Sequence, residues 1–172
     1  MSRPIRVGIS HGDTNGISYE IIMKALADDL MLDLCTPIIF GSSKMIAYNR
    51  KLPNMESINY RQIRSVDEIS DGEINLFNIT NDEIKVDVAQ PTRESGMAAI
   101  ASIEQATKAL IDGDIDALVT APINKHAVQG ISIEGEGDGF NFPGHTEYLE
   151  AKAGEGYKAM MVLFDDYVRV AL

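Results

Sequence analysis

Residues 5–26 read IRVGISHGDTNGISYEIIMKAL. Ile5 to Ser10 is a short apolar run that stops at His11-Gly12-Asp13, the pattern of a buried strand running into a loop. Beyond the loop, Ile21, Ile22, Ala25 and Leu26 recur at helical spacing, with Ser18 placed to cap the helix start. A buried strand passing through a polar loop into an amphipathic helix is the opening of a βα unit. The same order returns further on. Thr36 to Phe40 reads as a strand ended by Gly41, with Ser42 or Ser43 opening a helix that carries Met45, Ile46 and Tyr48. Ser57–Ile63 and Ile74–Ile79 read as strands on either side of an acidic turn, and Gln90–Ser95 as polar loop. Met97, Ile100, Ile103, Ala106 and Leu110 form the stripe of a long helix that ends near Asp112-Gly113-Asp114. Ala117–Thr120 is another buried strand, broken by Ala121-Pro122. After the glycine-rich Gln129–Gly144 come a helix over Thr146–Ala153 and two strands, Ala159–Phe164 and Tyr167–Leu172. Strands alternating with helices predict an α/β fold with a largely parallel sheet and flanking helices. The predicted division is a first α/β domain over 1–138 and the start of a second over 139–172.

Composition narrows the function classes. With 172 residues, 45% of them hydrophobic and 24% charged, the chain is long enough for a core that needs neither disulfide nor metal. Fifteen Lys and Arg against 26 Asp and Glu give a formal charge of −11. That surplus argues against nucleic acid and anionic membrane as partners, because both interactions run on excess Lys and Arg. The single cysteine, Cys35, closes no internal bridge and suits a reducing, cytoplasmic location. The start has too short an apolar stretch for a signal peptide, and no segment approaches the roughly 18 apolar residues of a membrane span.

Ligands of open parallel sheets bind outside the carboxyl ends of the strands. Three polar clusters are predicted there: His11–Gly16, Ala121–His126 and Pro143–Glu147, the last opening the helix before the final hairpin. They contain all three histidines, the side chains best suited to proton transfer or metal ligation near neutral pH. Asp13 reads either as an Asx-turn or as a hydrogen-bonding group facing a cleft. Lys125 either pairs with a substrate carboxylate or phosphate or stays solvated. His145 projects from its loop if Thr146 caps the following helix, and Glu147 suits that helix's first turn. The first cluster is neither GxGxxG nor a P-loop. Glu134, Glu136 and Asp138, interleaved with glycines, lack the ligand set of a calcium hand and read as a mobile loop. No zinc spacing and no GxSxG elbow occur.

Four segments in this order, HGDTNGISYE, LVTAPINKHAV, FPGHTEYL and MMVLFDDYVRVAL, resemble the 4-hydroxythreonine-4-phosphate dehydrogenase family of pyridoxal-phosphate biosynthesis along essentially the whole chain. One departure is plain. The family's first motif commonly reads Gly-Asp-Pro-x-Gly-Ile-Gly-Pro-Glu, whereas Thr14, Ser18 and Tyr19 stand here at the two prolines and the third glycine. The resemblance implies an isocitrate/isopropylmalate-dehydrogenase-like fold and a homodimer with its active site between two domains. It also implies a phosphorylated amino-acid substrate, oxidised by NAD with the help of a divalent metal (zinc, magnesium or cobalt) and then decarboxylated. It places substrate contacts on His145 and Thr146 and the metal-binding histidines beyond Leu172. On this reading the chain is the N-terminal half of such an enzyme, the second domain is of dimerisation type, and the chain alone binds neither NAD nor metal and turns nothing over. Three rivals stand beside it: a paralogue acting on another phosphorylated hydroxy acid, such as a four-carbon sugar-acid phosphate; an acyltransferase on a related scaffold; and a non-catalytic binding module.

Overall fold

A computed structural model describes residues 3–79, 84–129, 131 and 142–172. The chain divides into two compact units, Met1–Phe140 and Asn141–Leu172, each taken on its own below.

The first unit is built on strands β1 (Arg6–Ser10), β2 (Thr36–Gly41), β3 (Arg61–Ile63), β4 (Asn75–Asn78) and β5 (Ala117–Thr120). They form one sheet in the order β3-β4-β2-β1-β5, and every neighbouring pair is parallel. Its helices are α1 (Ser18–Leu26), α2 (Leu30–Leu34), α3 (Ser43–Asn49), α4 (Arg93–Ile111) and α5 (Lys125–Val128). A parallel sheet needs cover on both faces, and the strand alternation shows which helix covers which. Ile39 of β2 packs with Tyr19, Ile22, Met23 and Leu26 of α1 and with Met45 and Ile46 of α3. Its neighbours Ile38 and Phe40 point the other way, onto Ala106 and Ala109 of α4. All six residues of β2 are buried, as befits a central strand covered on both faces. Pro37 is tolerated in it because β2 pairs with β4 only from Ile38 onward.

The α/β class and largely parallel sheet match the sequence expectation, while several element ends do not. Ser18 lies inside α1 rather than at its cap: Ile17 holds the N-cap position, and no side chain caps the helix. The Ser18 hydroxyl instead donates to the Pro122 carbonyl at 2.9 Å, a tertiary acceptor that a local capping rule cannot see. Ser42 precedes α3 without a side-chain capping bond. Helix α4 opens at Arg93, inside the expected loop, because the Thr92 hydroxyl caps it by accepting the Ser95 N–H at 3.2 Å. Only Arg61–Ile63 of the expected Ser57–Ile63 strand pairs in the sheet, and a 3-10 turn at Val66–Glu68 occupies part of the acidic turn.

The second unit contains α6 (His145–Ala153) and an antiparallel hairpin of β6 (Val162–Phe164) and β7 (Arg169–Ala171). The Asp165 carboxylate shapes the hairpin turn by accepting the Tyr167 and Val168 N–H groups at 2.8 and 2.7 Å, and those bonds hold it below the usual carboxylate range. The glycine-rich stretch with Glu134, Glu136 and Asp138 lies outside the described residues.

Candidate functional site

Strand β1 is where the winding of the sheet reverses. Helix α1, which leaves β1, covers one face; α4, which leads into β5, covers the other; and β2 and β5 flank β1 on its two sides. The loops that follow β1 and β5 therefore meet outside the strands' carboxyl ends, the place where such sheets open a crevice. Backbone groups stitch these loops together. Asp13 N–H donates to Pro122 O at 2.8 Å, and Ala121 N–H to Ser10 O at 3.1 Å. Gly12 makes the approach possible: its φ is +65°, and a Cβ there would fall 2.4 Å from the Pro122 carbonyl oxygen.

Beneath this loop lies a chain of buried hydrogen bonds centred on His11, which is wholly buried. Its Nε2 is 2.9 Å from the Ala98 carbonyl oxygen, which only accepts, so Nε2 carries the proton. Nδ1 must then accept from the Tyr19 hydroxyl at 2.6 Å, and the Tyr19 oxygen in turn accepts the Ser42 N–H at 2.8 Å. Burial lowers the imidazole pKa from 6.5 to about 4 and raises that of the Tyr19 phenol above its ordinary range. The His11 N–H donates to Ser102 Oγ, whose own hydroxyl donates to Phe40 O. At the other end of the loop, Asn15 Nδ2 donates to Gln90 O and Thr92 Oγ1 at 2.9 and 3.0 Å, while its Oδ1 accepts the Asp87 N–H at 3.0 Å.

The sequence candidates fall as follows. Asp13 is partly exposed, and its Oδ1 accepts the Asn15 N–H at 3.0 Å, so the Asx-turn is present. Lys125 is exposed at the first residue of α5, where Asn124 Oδ1 caps the helix by accepting the His126 and Ala127 N–H groups. The bond from Asp13 N–H to Pro122 O sets the loops carrying Asp13 and Lys125 side by side. His145 and Thr146 belong to the second unit. The helix there starts at His145, with Gly144 in the N-cap position and no capping side chain, so Thr146 is not its cap. His145 is half-buried, and burial lowers its pKa. Thr146 lines a cleft of about 740 Å³ together with Glu147, Glu150, Glu155 and Lys158. Glu150 accepts the Ala159 N–H and the Lys158 ammonium, which hold its carboxyl below the usual range.

The sequence places Asn15 in the first polar cluster and Tyr19 at a departure from the family motif, but assigns neither them nor Thr92 these partners. Their partners lie 8 to 77 positions away or on the backbone, where no spacing rule points. Among the described residues, no group of three or more His, Cys, Asp or Glu is placed to hold a metal ion. The loop after β1 is also not a dinucleotide cradle, since its Gly12 is spent on contact with Pro122. By themselves the described residues thus do not make up a metal centre.

Residues 33–172 match the family described as "Pyridoxal phosphate biosynthetic protein PdxA". The chain is 44% identical over 168 residues to the 4-hydroxythreonine-4-phosphate dehydrogenase of Bacteroides thetaiotaomicron, covering 98% of this chain and 44% of that protein. It is 33% identical over 153 residues to a Clostridium botulinum protein named "Putative D-threonate 4-phosphate dehydrogenase", covering 86% of this chain and 42% of the other. The crystal structure of the 4-hydroxythreonine-4-phosphate dehydrogenase from Burkholderia phymatum superposes with a TM-score of 0.79 at 28% identity, over 99% of this chain and 49% of that one. The chain therefore spans about half the length, or somewhat less, of the relatives it matches. With its parallel sheet, its crevice at the reversal of winding and its match over most of its length, the chain belongs to the PdxA family of pyridoxal phosphate biosynthetic proteins.

Proposed function

We propose that the chain carries the first α/β domain, and the start of a dimerisation-type domain, of a 4-hydroxythreonine-4-phosphate dehydrogenase. The reaction is oxidation of 4-phosphohydroxy-L-threonine with NAD as hydride acceptor and a divalent metal assisting. Loss of the carboxylate as carbon dioxide then yields 3-amino-2-oxopropyl phosphate. The observation that carries this reading is the 44% identity over 98% of the chain to a dehydrogenase of that name. The roles of this chain's residues are to bind and orient. In the second unit His145 and Thr146 contact the substrate; in the first, Asp13 and Lys125 are the polar groups offered at the β1–β5 crevice. The nicotinamide, zinc, magnesium or cobalt chemistry belongs to a counterpart of the part its relatives have beyond the matched stretch, in a cytoplasmic homodimer.

A second reading has its own support in the Clostridium botulinum relative: the same oxidation performed on D-threonate 4-phosphate. The two substrates differ at C2, an ammonium in one and a hydroxyl in the other. Three glutamates and one lysine beside Thr146 make that cleft net negative, which favours the ammonium. The test is NADH formation by a full-length parent protein with each substrate in turn, beside the 172-residue chain alone. Turnover of 4-phosphohydroxy-L-threonine by the parent and none by the chain is expected. Preference for D-threonate 4-phosphate moves the assignment to the second reading, and turnover by the chain alone overturns the division of labour.

A further inference from the structure

We propose that Tyr19 and His11 are a positioning pair that pins the loop Gly12–Ile17 against Pro122 and so fixes the mouth of the β1–β5 crevice. The functional half of this proposal rests on the dehydrogenase reading above.

One phenol and one imidazole join four elements here. Tyr19 stands in the first turn of α1. Its hydroxyl accepts from the Ser42 N–H just past β2 and donates to His11 Nδ1 just past β1. His11 in turn reaches α4 twice, through Nε2 to Ala98 O and through its backbone N–H to Ser102 Oγ. Gly41 leaves room for the phenol, since a Cβ there would fall 2.8 Å from the Tyr19 oxygen. The rings also meet edge to face, with centroids 5.4 Å apart. Neither ring reaches solvent, at 1% and 0% exposure, so neither can exchange a proton with a bound molecule. Whatever they do for a ligand, they do through the backbone they hold. Asn15 anchors the far end of the same loop, which leaves Gly12, Asp13 and Thr14 suspended between two fixed points. Ser18, beside Tyr19, adds a bond to Pro122 on the opposite loop. Of the suspended residues, Thr14 is buried and Asp13 is the one partly open to a ligand.

The experiment has two arms and two variants. Tyr19→Phe keeps the ring and removes the hydroxyl. His11→Gln keeps a donor able to reach Ala98 O and removes the acceptor at Nδ1. In the 172-residue chain, amide hydrogen exchange is read at Asp13, whose N–H is bonded to Pro122 O, with Leu76 in β4 as reference. Tyr19→Phe is expected to raise Asp13 exchange about tenfold relative to Leu76. In the full-length parent, the same variant is expected to raise KM for 4-phosphohydroxy-L-threonine by about fivefold to tenfold, with kcat changed less than about twofold. His11→Gln is expected to do likewise and to leave the pH profile of kcat unmoved. Unchanged Asp13 exchange in Tyr19→Phe overturns the pair. So does faster exchange with an unchanged KM, or a pH profile that shifts in His11→Gln, since that would make His11 an acid or base. If the unmodified parent turns over neither phosphorylated substrate, the dehydrogenase reading fails while the exchange arm still decides whether the pair holds the loop.

Discussion

A buried imidazole makes stability depend on pH, and His11 sets both the sign and the window. In the unfolded chain it titrates near 6.5; in the fold, burial lowers that to about 4. Between those values the unfolded state binds a proton that the folded state refuses, so stability rises with pH across the window. The contribution is present in full above the unfolded pKa and is lost as pH falls toward 4, for a total of about 3 kcal/mol. His145 acts in the same direction, also through burial. The depressed carboxylates Asp116, Glu150 and Asp165 start from ordinary values of 3.8 to 4.5 and act mostly below this window. Urea unfolding between pH 7 and pH 4 should therefore show a steep loss of stability in the native chain and a much flatter one in His11→Asn. Equal slopes for the two would mean that His11 is not the group responsible.

At the scale of elements, α4 is the member that ties the crevice to the core, and one glycine fixes how α5 sits on it. A Cβ at Gly96 would fall 2.0 Å from the Ala127 carbonyl oxygen and 2.6 Å from its carbon. Backbone atoms cannot swing aside as a flexible side chain would, so Gly96→Ala must separate α4 from α5. Alanine's better helix propensity, worth about 1 kcal/mol, works the other way. The overpacking cost of about 1–3 kcal/mol should win. Thermal or urea unfolding is expected to show net destabilisation, with the protection of α5 amides lost first; a stabilised variant would refute the close contact. The same helix shows what a sequence reveals and what it hides. Its apolar stripe is legible at Ile100, Ile103 and Ala106, where periodicity reports which side faces the core, but Met97 at the start of the stripe is 51% exposed. The start of the helix is hidden because Thr92 lies before the first stripe residue and shows itself only through the bond to Ser95. Helices α2 and α5, of five and four residues, are too short to display a period at all. For the site, strand ends could be read from the sequence, and so could the loops carrying Asp13 and Lys125. The contacts of His11 with Tyr19 and Ala98 could not, since they depend on how distant segments pack.

For the molecule as a whole, the opposition is between charge and exposed apolar surface. The formal charge of −11 keeps copies of the chain apart. The hairpin of the second unit pulls the other way. Val162, Leu163 and Phe164 are 47%, 57% and 76% exposed, Val168 and Val170 57% and 44%, and Leu172 73%. A two-stranded sheet also leaves both edges with unpaired backbone groups, a template for strand addition. Leu163 and Val170 are directly paired and share one face of the hairpin, so that face can be altered without disturbing the other. Raising ionic strength from about 0.01 M to about 1 M shortens the screening length from roughly 30 Å to 3 Å and removes most of the repulsion. The 172-residue chain is therefore expected to self-associate on adding salt, as a concentration-dependent rise in sedimentation coefficient. The pair Leu163→Lys and Val170→Glu replaces the apolar contact with an ion pair across the strands, which keeps the hairpin closed while making its face polar. Salt-induced association should fall sharply in that variant. Association of equal strength in both proteins would place the sticky surface elsewhere, and a native chain that stays monomeric in high salt would show that charge was not what kept the copies apart.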